Sequence, residues 1–329
     1  MYIFEVTGIS KATVSCRTFD SQIQTRHKHT KTLSTYSIKD LEHLSGIKAH
    51  TIRIWEQRYD LLKPKRTDTN IRYYDDNDLK LVMNISLLKE NGQKISKIAK
   101  MTVTEMNQEV LRITEDNIRY PDQINALTIA MIDLNEERFE KIIATNTLKI
   151  GFEKTMINII YPFLTKIGLL WLTGTINPAQ EHFITCLIRQ KIIVAIDGQF
   201  ANIKEDAPKY LLFLPEGEMH EISLLFSWYM LKARQNRVVY LGQNLPFEDL
   251  KQVHEYHNPD YLFTIITTSP GQSGIQKYIN KLSEAFPDSE VLLTGYQVVG
   301  QDLQFPSNTH LFNRVDELIG FIDEHTNTV

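Results

Sequence analysis

Apolar residues recur at helical spacing from Ile38 through Leu41 to Leu44, stop at Gly46 and resume near His50, so the chain predicts a helix, a tight turn and a second helix. In the second helix Ile52, Trp55 and Tyr59 share one stripe and are expected to be buried, leaving His50, Arg53 and Gln57 on an exposed stripe. After Tyr59, Pro64 and the polar run Thr67-Asp68-Thr69-Asn70 mark a hairpin turn, and Asp75 caps a helix that continues through Glu90 and stops at Gly92. A short helix over 95–100 follows, and the polar stretch before Pro121 predicts an inter-domain linker within 104–120. Between 122 and 199 the period stays helical, with breaks near Asn135, at Gly151 and from Gly174 to Pro178, which predicts four packed helices. From Lys209 the pattern becomes short apolar runs at 210–214, 237–241, 261–266 and 290–293, separated by amphipathic stretches. Strands alternating with helices imply a parallel sheet covered on both faces, with a ligand edge at the strand C-termini.

Length and composition narrow the class. A chain of 329 residues exceeds one typical core and predicts two or three domains. It is 42% hydrophobic and 23% charged, with no apolar run long enough for a membrane span. The first thirty residues do not read as a secretory signal, so a cytoplasmic location is expected. Cys16 and Cys186 make neither a disulfide framework nor a four-thiolate metal site. The net charge of −4 does not announce nucleic acid, so any electrostatic footprint must be local. One window has it: Lys39, Lys48, Arg53, Arg58, Lys63, Lys65 and Arg66 outnumber Asp40, Glu42, Glu56 and Asp60.

The exposed stripe His50, Arg53 and Gln57 is a candidate major-groove face, flanked for phosphate contact by Lys48, Arg58, Lys65, Arg66 and Arg72. Thr51 and Tyr73 complete the DNA-binding set. Periodicity by itself leaves a plain solvated helical pair open. Tyr36-Ser37-Ile38-Lys39-Asp40-Leu41, Ser45-Gly46-Ile47 and Thr51-Ile52-Arg53-Ile54-Trp55-Glu56, however, resemble the opening helix-turn-helix of the MerR family. Leu62-Lys63-Pro64-Lys65-Arg66, Ile71-Arg72-Tyr73-Tyr74 and Asp78-Leu79 are similar to that family's wing and the helix after it. One departure is Lys48, where a Ser often opens the recognition helix. The resemblance implies a dimer or higher homo-oligomer on a two-fold-related double-stranded operator, with the second helix in the major groove and the wing on the backbone.

Two constellations carry chemistry further on. Trp171 is followed ten residues later by Glu181-His182, and Gly217-Glu218-Met219-His220-Glu221-Ile222-Ser223 comes directly after the first predicted strand. Taken alone, the Trp reads as core and the Glu-His pair as surface, whereas His220 falls at the sheet's ligand edge, with Glu218 placed to orient its imidazole. Together they resemble the cobalamin-binding module of light- or cobalamin-responsive MerR-type repressors, a helical bundle with Trp-x9-Glu-His and then an α/β domain with an Asp/Glu-x-His-x-x-Gly loop. That resemblance implies His220 as the lower axial ligand of cobalt, Glu218 as its hydrogen-bond partner, and Trp171, Glu181 and His182 over the upper corrin face. Ser223, Thr267 and Gly295 complete the cofactor set, with adenosylcobalamin among the possible forms. The sequence departs from the pattern at several points. Ser223 replaces the loop glycine, and Thr267-Thr268-Ser269 stands for Ser-x-Leu. Gly295-Tyr296 stands for Gly-Gly, where the Tyr ring is expected to fill space used by the nucleotide tail. Leu172 stands where some photoreceptor members carry a His.

The expected fold is multidomain, α and α/β. It has a mobile tail over 1–33, a winged helix-turn-helix over 34–103, a linker over 104–120, a four-helix bundle over 121–203 and a doubly wound, Rossmann-like sheet over 204–329. The function read from it is a non-enzymatic, DNA-binding transcription regulator that senses cobalamin. The alternative is a regulator whose module has lost the cofactor and answers to a protein partner.

Overall fold

The computed structural model describes residues 35–327, apart from 68, 117–118, 173–175, 200–202, 204–205 and 269–271. The tail expected over 1–33 and Cys16 lie outside the described residues, as does Ser269. Contacts divide the chain into two units, one reaching Ile184 and the other starting at Thr185.

The first unit opens with β1 (Thr35–Tyr36) and α1 (Ile38–Ser45). Ser37 and Asp40 form a reciprocal capping box at the start of α1, and Gly46, at φ 72, ends it with its N–H on the Glu42 carbonyl. The helix α2 (Ala49–Tyr59) has no cap from Lys48. Instead Glu42 of α1 takes the Ala49 N–H at 2.9 Å and the Lys48 ammonium at 2.9 Å, so the first helix supplies the missing cap of the second. The wing strands β2 (Lys65–Arg66) and β3 (Arg72–Asp75) pair antiparallel, and β1 pairs with the other edge of β3. Asp75 then caps α3 (Asp76–Glu90) through the Asn77 and Asp78 amides, as the sequence implied, and its carboxylate also pairs with Lys65.

After the short α4 (Ile95–Ile98), the stretch expected to be a linker is instead α5 (Val103–Asp116). Its Met106, Val110 and Ile113 are buried against Trp55, Ile85, Leu88 and Ile98, so the polar look of this segment belongs to one face of an amphipathic helix. The bundle follows as α6 (Tyr120–Ile132), α7 (Glu136–Ile150), α8 (Phe152–Thr155), a π-helical turn (Met156–Ile160), α9 (Tyr161–Leu172) and α10 (Pro178–Asp197). The expected breaks at Asn135, which caps α7, and at Gly151, at φ 84, are where the helices change. Asn146 reaches Gln123 at 2.9 Å inside the bundle.

The second unit carries a parallel sheet of β4 (Lys209–Pro215), β5 (Arg237–Leu245), β6 (Tyr261–Ile265), β7 (Glu290–Thr294) and β8 (Thr309–Leu311). The order is β5-β4-β6-β7-β8, with β8 an edge strand too short to register as an apolar run. Helices α11 (Ile222–Ala233), α12 (Phe247–His257), α13 (Gln272–Ala285) and α14 (Val315–Asn327) connect and cover the strands. Leu211, Phe213, Leu262, Ile266, Val291 and Leu293 face α12 and α13 as one core. The chain reverses direction across the sheet between β4 and β6, and in such sheets a crevice opens there at the strand C-termini. No helix of the described residues is long and apolar enough to cross a membrane.

Candidate functional site

In the head, Ile52 and Trp55 are buried and Tyr59 is half-buried, which turns His50, Arg53, Ile54, Gln57 and Arg58 outward together. Thr51 lies half-buried at the edge of that face with its hydroxyl 3.3 Å from His50 Nε2. Glu56 accepts from the Tyr74 hydroxyl at 2.5 Å, locking α2 to β3, a pairing that sequence reasoning missed. Burial and the neighbouring Glu56 carboxylate push the Tyr74 phenol far above its ordinary range, so it remains a donor.

The cations divide into two groups. Lys48 is tied to Glu42 and Lys65 to Asp75, so both hold the scaffold together. Arg66 and Arg72 stand directly across from each other in the wing, both exposed, and Arg66 is braced by Asn70 Oδ1 at 2.6 Å. Like charges in register repel, and a phosphate placed between them would relieve that repulsion. Arg58 lies 5.6 Å over the Tyr59 ring, and Tyr73 is half-buried opposite Lys65.

In the second unit the loop between β4 and α11 is fixed from both neighbouring strands. Asn244 at the end of β5 accepts the Gly217 N–H at 2.7 Å, and Gln243 donates to the Met219 carbonyl at 2.7 Å. Glu218 lies 2% exposed at the centre. Its Oε1 accepts from the Met219 and His220 amides, both at 3.0 Å, and meets His220 Nδ1 at 2.6 Å. Its Oε2 accepts from the amides and hydroxyls of Thr267 and Thr268, all within 2.9 Å. Burial alone would raise this carboxyl, yet the donors from His220, Thr267 and Thr268 outweigh it and hold the group far below the usual carboxylate range. An ionised Glu218 only accepts, so Nδ1 of His220 carries the proton and the lone pair of a neutral ring falls on Nε2, the tautomer a metal binds.

The structure thus brings Glu218 and Thr267 together with His220. Thr268 was missed as a partner, although the Thr-Thr pair directly after the apolar run of β6 was its signal. Ser223 is not in the loop: it lies in the first turn of α11, where its carbonyl accepts from Ser227 at 2.9 Å, so no loop glycine is needed there. Gly295, at φ 117, is demanded by the chain itself, since a Cβ there would lie 2.4 Å from the Ile266 carbonyl oxygen. Tyr296 is 42% exposed and does not line the cavity of about 330 Å3 beside Glu218, which Leu245, Phe247, Ile266, Tyr278 and Lys281 help to enclose. Trp171 falls in the last turn of α9 with its side chain outside the described residues. Glu181 and His182 are adjacent in the first turn of α10, half-buried and exposed respectively. These three belong to the first unit and Glu218, His220, Ser223, Thr267 and Gly295 to the second.

Residues 36–105 match the family described as MerR HTH family regulatory protein, and residues 123–195 match the B12 binding domain family. The chain is 26% identical to the HTH-type transcriptional repressor CarH of Myxococcus xanthus, over 77% of this chain and 86% of that protein. It is 25% identical to the repressor CarA of the same organism, over 69% and 74% respectively. In a comparison of folds, a Methanosarcina barkeri monomethylamine corrinoid protein aligns at a TM-score of 0.47 and 14% identity, covering 66% of this chain and 99% of that one. A MerR HTH domain and a B12 binding domain thus stand in one chain, a transcription regulator similar to CarH and CarA.

Proposed function

We propose that this regulator reads a double-stranded operator through α2 and its wing, and that cobalamin, held on the second unit with His220 at cobalt, is the effector that sets its affinity for DNA or its oligomeric state. The observation that carries the cofactor reading is the Glu218–His220 pair. It turns Nδ1 of His220 onto Glu218 and leaves Nε2 free to ligate at the switch point of a parallel sheet, on a loop clamped by both neighbouring strands. The donor set fits the group, because cobalt takes a neutral imidazole and Glu218 fixes both the tautomer and the ring orientation. Thr267 and Thr268 hold that carboxylate, and Ser223 and Gly295 shape the same strand-end region. Arg53, His50 and Gln57 read base edges in this proposal, Arg58, Arg66 and Arg72 take phosphates, and Thr51 and Tyr73 support them. The relatives are named as transcriptional repressors, which supports a regulator without catalysis.

The test is a cobalamin titration of the full chain, with adenosylcobalamin as one of the forms, read by visible absorbance in the dark and after illumination. The parent is expected to bind, and His220→Ala to lose binding with an unchanged fold by circular dichroism, since a loop residue leaves no core cavity. Equal binding and an identical spectrum for the variant would remove His220 from cobalt. A parent that binds no cobalamin would overturn the sensor reading and leave a protein partner as the effector.

A further inference from the structure

Ile54 lies 48% exposed on α2, while its neighbour Ile52 is fully buried. Single exposed aliphatics are ordinary on protein surfaces; the position of this one is not. At about 100° per residue, Ile54 projects about 40° from His50 and about 60° from Gln57, so it lies inside the outward face and not at its margin. His50 and Arg58 flank it at i−4 and i+4, and Gln57 lies at i+3. All the other outward residues of that face are polar or cationic.

A major groove shows hydrogen-bonding edges at every base pair, but one apolar group, the C5-methyl of thymine. We infer that Ile54 is a specificity-determining residue that packs on a thymine methyl, so that each half-site carries a thymine beside the base pair read by Arg53. This rests on the proposed use of α2 as the recognition helix. The polar neighbours fix the register of the helix by hydrogen bonds, and the aliphatic side chain, stiff at χ1, then covers the methyl and removes two apolar surfaces from water.

The experiment uses the full chain and duplexes selected with it from a randomised library. Each thymine of the selected duplex is replaced by deoxyuridine, symmetrically in both half-sites, which deletes the methyl and keeps every hydrogen-bonding group. One position is expected to lose about fourfold in affinity per half-site, the worth of one buried methyl-sized group. Ile54→Ala should weaken binding to the thymine duplex and abolish the thymine–uracil difference at that position alone; Ile54→Val should keep part of it. The inference is overturned if every deoxyuridine duplex binds within twofold of the parent, or if Ile54→Ala retains the full difference. If the selection yields no sequence preference at all, α2 is not a reading helix and the underlying proposal fails with it, an outcome distinct from a selected duplex that is indifferent to its methyls.

Discussion

Arg53 and Arg66 have the same charge and different surroundings. Arg53 stands on the outward face of α2, whereas Arg66 is braced by Asn70 on the wing opposite Arg72. Arg53→Ala should therefore cost about 1–3 kcal/mol on a selected duplex and little on random DNA, while Arg66→Ala should weaken both alike and reduce the salt slope by about one. Equal affinity of the Arg53 variant and the parent for the selected duplex would remove it from the reading face. Glu218 gives a prediction of a different kind. Burial pushes its carboxyl up, but the donors from His220 and Thr267 outweigh that, so its folded value lies below the unfolded one. Such a group contributes stability at pH above its unfolded value of about 4.3, and loses it as the pH falls towards the folded value. Glu218→Gln also turns an amide NH2 towards donors that need an acceptor, at a cost of about 1–3 kcal/mol. The variant should thus melt below the parent near neutral pH, and the gap should narrow below about pH 4. A gap that stays constant down to about pH 3 would show that the ionised carboxylate does not carry this stability.

Local signals were legible wherever their cause is local. The break at Gly46, the Asp75 cap and the apolar runs of four strands depend on residues within a few positions, and each was read directly, whereas the equally local capping box of α1 was not. What was hidden is long-range. Glu42 capping α2, Glu56 on Tyr74, and Thr268 on Glu218 each join groups that only the folded chain brings together. Gly295 was read as a site residue, but its first requirement is steric. At φ 117, with the Ile266 oxygen 2.4 Å and the Ile266 nitrogen 2.7 Å from any Cβ, β7 and the end of β6 can approach only over a glycine. Gly295→Ala should accordingly destabilise the second unit by about 2–4 kcal/mol even without ligand, from left-handed backbone strain added to overpacking. A urea midpoint equal to that of the parent would disprove this.

The head is larger than its sequence pattern suggested, because its core is closed by a helix that reads as a linker. Met106, Val110 and Ile113 of α5 lie against Trp55, the buried anchor of α2, and against Ile85, Leu88 and Ile98. Each buried aliphatic side chain of this size contributes about 1.5–3 kcal/mol, so the three together are worth about 4.5–9 kcal/mol as an upper estimate against an extended unfolded chain. That is comparable with the entire stability of a small domain, about 5–15 kcal/mol. A fragment over 34–103, the span first expected to carry DNA binding, therefore leaves Trp55 and Leu88 facing water where α5 should be. It should unfold at a much lower temperature than a fragment over 34–116, or not fold at all. The longer fragment should show a cooperative melt by circular dichroism and hold the same selected duplex as the full chain at low salt, though more weakly if dimerisation uses later elements. Identical melting temperatures for the two fragments would mean that α5 adds nothing to the head and that its apolar face serves the bundle instead. The proposed reading face depends on this result, since buried Trp55 sets the rotation of α2 and so decides which of its side chains point outward.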